Sequence, residues 1–108
     1  MHGDLQNLID FVSRHVVFDE EHYPSLVGAS EEARLQFALK HSALHFAKGT
    51  GKIAAIGERA DHGKEFVVDD MKAELARMLI TTLWTADKIG MTQQDFVAAI
   101  EEKYGSKP

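Results

Sequence analysis

His41, His45, Lys48 and Lys52 follow one another at steps of four, three and four residues. In a helix that spacing lines side chains along one face. A row of two imidazoles and two ammonium groups is chemistry for an anion, because lysine is a point-charge partner of phosphate. Arg34 and Arg59 lie where they would lengthen the row at either end. His41 and His45 also have the i, i+4 spacing of a helical metal pair. Glu58, Asp61 and His62, just beyond the row, are secondary candidates that could add oxygen and nitrogen ligands. Lysines beside such a pair would repel a cation, so an anion site is the first expectation.

The basic row belongs to an acidic chain of 108 residues with net charge -5. That balance argues against nucleic acid as a partner, which calls for a basic surface. An anionic small molecule needs only a local site. With no cysteine in the chain, disulfides, thiolate metal sites and a cysteine nucleophile are excluded. No apolar run approaches the roughly 20 residues of a membrane span. The first residues lack the basic and apolar regions of a secretion leader. The expectation is a cytoplasmic protein with no membrane contact. Ser13, Ser25 and Ser42 have no nucleophile-elbow context.

Four helices must position these groups. Leu5, Leu8, Ile9, Val12 and Val16 predict a first helix over about Asp4–Val17, stopped before Pro24. Ser30, followed by Glu31 and Glu32, caps a second that runs to about Ala60. Gly49, Gly51 and Gly57 lie inside it. Each costs about 1 kcal/mol against alanine, so they mark close approach of another backbone or a ligand, or a local break, with close helix packing the first expectation. After a turn at Asp61–Lys64, Asp69 or Asp70 caps a third helix running to about Lys88. Met71, Leu75, Met78, Leu79, Leu83 and Trp84 give it a wide apolar surface, with Trp84 a core or interface anchor. Gly90 ends it, and Thr92 with Asp95 has capping-box spacing for a fourth helix to about Tyr104. Phe66-Val67-Val68 is the only short β-branched run outside this pattern. The expectation is one all-α domain over residues 1–108, a compact four-helix bundle with a long second helix. Residues 1–3 and 105–108 should fray. So long a helix in so small a domain predicts a homodimer that covers it.

Glu74-Leu-Ala-Arg-Met-Leu-Ile, Ala86-Asp-Lys-Ile-Gly-Met-Thr and Phe96-Val-Ala-Ala-Ile-Glu-Glu-Lys-Tyr, with His45-Phe-Ala-Lys-Gly-Thr-Gly-Lys-Ile-Ala before them, resemble the MazG-like all-α nucleoside triphosphate pyrophosphohydrolases. The resemblance covers about residues 4–104. It implies a helical fold and an ancestral reaction that cleaves triphosphates to monophosphate and pyrophosphate. It also implies Mg²⁺ held by Glu-Glu-x-x-Glu on the second helix and Glu-x-x-Asp on the third. This chain departs from both motifs. Lys48, Gly49 and Lys52 stand at the first, and Arg77 stands at the aspartate of the second, leaving Glu74 alone. Residues 44–57 contain no acid at all. Lysine and arginine carry no lone pair for Mg²⁺, so the resemblance implies the fold without the metal cofactor or the Mg²⁺-dependent activity.

Three readings follow. In the first, His41, His45, Lys48, Lys52, Glu74 and Arg77 form a rewired site for a nucleotide or another phosphate-bearing small molecule, with Glu74 orienting Lys52 or Arg77. In the second, the charges are a packing network, Lys52 with Glu74 and Arg77 with Glu58 or Asp70, and the protein is a helical dimer or interaction module. In the third, a pyrophosphohydrolase or another metal-dependent enzyme retains a non-standard site. The state of Lys48, Lys52 and Arg77 separates the first two: an open cleft lined by all three favours a ligand, and closed pairing with Glu58 and Glu74 favours packing.

Overall fold

The computed structural model describes residues 4–105; the fraying expected at residues 1–3 and 106–108 lies outside them. Four helices carry the chain: α1 Leu5–His15, α2 Glu31–Asp61, α3 Val68–Lys88 and α4 Gln93–Tyr104. There is no strand among the described residues, and Phe66-Val67-Val68 leads into α3 instead of forming one. The all-α, four-helix expectation is met.

The helix ends follow local chemistry. Ser30 caps α2 by accepting the Ala33 amide. The α2 end is a Schellman turn: the Gly63 amide donates to Ala60 O and the Lys64 amide to Arg59 O. Gly63 takes φ 76° there, a left-handed conformation that glycine adopts without a Cβ clash. The same pair of bonds closes α3, from Gly90 to Asp87 O and from Met91 to Ala86 O. The capping box of α4 is complete, with Thr92 and Asp95 bonding reciprocally.

Two boundaries differ from the sequence expectation. α1 stops at His15, because Val16 turns extended and Phe18 is needed in an aromatic cluster beyond the helix end. α3 starts at Val68, with Val67 as its N-cap and no side-chain cap bond. Asp69 and Asp70 lie in its first turn, where their charge meets the positive end of the helix dipole.

α3 is the hub. On one flank α1 buries Ile9 and Val12 against Leu83 and Trp84, with Leu5, Leu8, Val16, Phe18 and Phe96 packed around them. Ser13 Oγ donates to Asp87 Oδ2 at 3.0 Å across this contact. On the other flank α2 runs antiparallel, with His45 opposite Trp84 and Gly49 opposite Met78. α4 is held at its start. The side-chain oxygens of Gln6 and Gln93 each accept the other residue's backbone amide at 2.9 Å. Those reciprocal bonds satisfy first-turn donors of both helices.

Of the three glycines in α2, only Gly49 marks a close approach: a Cβ there would collide with Met78 Sδ. Gly51 and Gly57 face open space. At 1.5 Å per residue, α2 is about 46 Å long, and the molecule extends over 51 × 40 × 26 Å. Its radius of gyration is 17.0 Å, where a globular chain of this length has roughly 13 Å. The excess is the arm made by the end of α2 and the start of α3. Among the described residues no helix is long and apolar enough to cross a membrane.

Candidate functional site

A cleft of about 520 Å³ opens between α2 and α3, beside the end of α1. That volume lies in the range of small-molecule sites. His45, Lys48 and Lys52 come to it from α2, and Glu74 and Arg77 from α3. Five of the six first-choice residues therefore share one wall-and-rim arrangement. The helical repeat of α2 aligns its three, and the antiparallel register set at Gly49 and Met78 brings the α3 pair opposite.

The sixth, His41, does not line this cleft. It is half-buried and packed behind it, 4.4 Å from Phe37, 5.0 Å from Tyr23 and 5.4 Å from Phe18 between ring centroids. Its Nδ1 is buried with no hydrogen-bond partner. Loss of water around the ring, then the neighbouring His45 and Lys40, hold His41 below the ordinary histidine value of 6.5. Near neutral pH its ring is a neutral member of an aromatic cluster.

The charge pairing differs from the packing network considered above. Among the described residues, Lys48 and Lys52 make no ion pair. Neither Lys52–Glu74 nor a bridge from Arg77 to Glu58 or Asp70 forms. Arg77 instead pairs with Glu74 one turn away on α3. A pair within one helix does not tie α3 to α2, so the two lysines have no structural partner to explain them. Arg34 is committed elsewhere, to Glu20 at 2.6 Å and to Leu26 O at 3.0 Å. Glu58, Asp61 and His62 sit exposed at the far end of α2 and do not line the cleft. His41 and His45 lie 6.1 Å apart between ring centroids. Among the described residues no three metal-ligating side chains converge.

Glu74 has an unusual setting. It is 6% exposed. One oxygen bonds the Arg77 guanidinium, and the other, Oε2, is buried with no partner. A buried acceptor left unpaired costs about 1–3 kcal/mol, so such an atom marks a place where a donor is wanted.

Sequence spacing did not reveal the rest of the lining. His15, Val16, Phe18 and Tyr23 reach the cleft from the end of α1 and the segment after it. Trp84 is both core and wall: Phe18 packs on it at 4.6 Å and the His45 ring stands edge-on at 5.8 Å. The one local hint is a pair of aromatics, Phe18 and Tyr23, in a segment that Pro24 keeps from continuing the helix.

The arrangement is amphipathic. Its lining combines the cations Lys48, Lys52 and Arg77 and the imidazoles of His15 and His45 with the apolar groups of Val16, Phe18, Met78, Ile80 and Trp84. It can hold an anion at the rim and a flat apolar body against the wall. No family model, no curated protein and no solved structure matches this chain.

Proposed function

We propose that this protein is a divergent MazG-like domain that binds a phosphate-bearing small molecule, a nucleotide foremost, in the cleft between α2 and α3. Lys48 and Lys52 take the phosphate as point charges, Arg77 adds a planar donor, and His45 extends the donor row. The observation that carries the reading is the pair of unpartnered lysines on the rim of a cleft. Lys48 and Lys52, one turn apart on α2, repel each other, and an anion relieves that repulsion. Where relatives would use carboxylates and a metal, this cleft uses fixed cations. The reading is of a binding protein, and no residue is given a catalytic role.

Isothermal titration with inorganic pyrophosphate and with adenosine 5′-monophosphate tests it. Saturable binding is expected, weaker at high salt because the contacts are exposed and screened. It should fall at least tenfold in the Lys48→Ala/Lys52→Ala double variant. Absence of saturable binding, or binding unchanged in that variant, contradicts the reading.

A second reading concerns assembly as a homodimer. Val68, Leu75 and Leu79 form a stripe along α3 and are 55%, 55% and 46% exposed. We place the dimer contact on that stripe, continuing the α2–α3 pair. Sedimentation of the full chain should give a dimer, and Leu79→Lys should give a monomer. A monomer for the unaltered chain at high micromolar concentration rules it out.

A further inference from the structure

We infer that Glu74 selects the ligand: the cleft prefers a flat-ring anion whose ring edge carries an N–H donor, and Oε2 of Glu74 accepts it. The inference rests on the binding reading above and deepens it.

A phosphate site alone needs neither an acid nor an aromatic wall. A carboxylate beside Lys48 and Lys52 weakens the attraction for a bare phosphate. Yet Glu74 is the only buried residue in the first half of α3, among neighbours that are exposed or half-buried. Its Oε1 is held by Arg77 and its Oε2 is shielded from water without a donor. Arg77 bonds the other oxygen of the same carboxylate. Its side chain is 61% exposed, so turning from Glu74 to a phosphate at the rim costs it little burial. That exchange would release the carboxylate just as the ligand brings its own donor. A ring packed against Trp84 and Ile80, one turn apart on α3, would present its edge to Glu74 and its phosphate to the lysines. A site built to accept an N–H rejects the analogue lacking one, because the buried acceptor is then left unpaired.

The test compares adenosine 5′-monophosphate with purine riboside 5′-monophosphate, which differs by the exocyclic amine alone, and with inorganic pyrophosphate. In the unaltered protein the amine-bearing nucleotide should bind at least tenfold more tightly than purine riboside 5′-monophosphate. Glu74→Met, which keeps the length and removes the acceptor, should abolish that difference while pyrophosphate binds as well as before or better. Equal binding of the two nucleotides to the unaltered protein overturns the inference and leaves the phosphate site standing. A preference that survives Glu74→Met also overturns it. If neither nucleotide nor pyrophosphate binds, the binding reading falls and this inference with it. The comparison in the unaltered protein needs no variant to fold.

Discussion

The two halves of α3 meet different surroundings. Thr81, Leu83, Trp84 and Ala86 in the second half are buried, and the first half buries only Glu74. α1 covers the second half with Ile9 and Val12. It ends at His15, and N-terminal to Trp84 the cleft side of α3 is bordered by the segment after α1 and by the lysine-bearing face of α2. The cleft lies at this boundary. The packed half fixes the helix positions, and the open half presents charges that packing does not need. The contrast teaches that stability and recognition are carried by adjacent stretches of one helix, and it predicts that they separate under mutation.

The largest effect belongs to the packed half. Leu83 is 2% exposed, and Leu83→Ala should cost about 2–5 kcal/mol by loss of burial and a cavity. Chemical denaturation measures it. A loss below about 1 kcal/mol would break the contrast.

Gly49 sits on the boundary. Gly49→Ala forces the Met78 thioether to move. Overpacking costs about 1–3 kcal/mol, offset by roughly 1 kcal/mol of helix propensity. The net loss should be up to about 2 kcal/mol, and because Met78 lines the cleft, the site should change with it. Gly51→Ala, in open space on the same helix, should stabilise by about 0.5–1 kcal/mol. Opposite signs at positions two residues apart sharpen the assignment of Gly49 as the helix contact.

Thr92→Ala removes the α4 cap bond and should cost about 1 kcal/mol, with no effect on the cleft.

The smallest effect is a pH dependence. The folded protein holds His41 below its unfolded value of 6.5, so the unfolded chain takes up the proton first. The stability tied to the neutral ring is present above pH 6.5 and is lost as pH falls through the lower folded value. Denaturation midpoints should drop on acidification from pH 7 to 5, and less so in His41→Phe, which keeps the ring cluster. An equal drop in both would assign it to other groups.

Much of the fold was legible because its signals are local. Ser30, Gly63, Gly90 and Thr92 with Asp95 punctuate the helices through bonds spanning three to five residues, and the structure uses all of these positions. The α2 row of the site was legible for the same reason: helical spacing alone aligns His45, Lys48 and Lys52. Contacts between elements were less so. Nothing in the spacing says that His41 turns into the Phe18–Tyr23–Phe37 cluster while His45, one turn on, faces the cleft. Nor does it say that Arg77 takes Glu74 on its own helix and leaves Lys52 unpaired. Gly49, Gly51 and Gly57 look alike in sequence, and only the neighbouring Met78 tells the first from the others.

Trp84 is the only tryptophan in the chain and lines the cleft, so its emission reports directly on occupancy. Titrating adenosine 5′-monophosphate into the unaltered protein should give a saturable change in that emission, absent over the same range in Lys48→Ala/Lys52→Ala while the denaturation midpoint of the double variant stays unchanged. A flat titration of the unaltered protein, or an equal response from the double variant, would contradict the account of an anion site built on those two lysines.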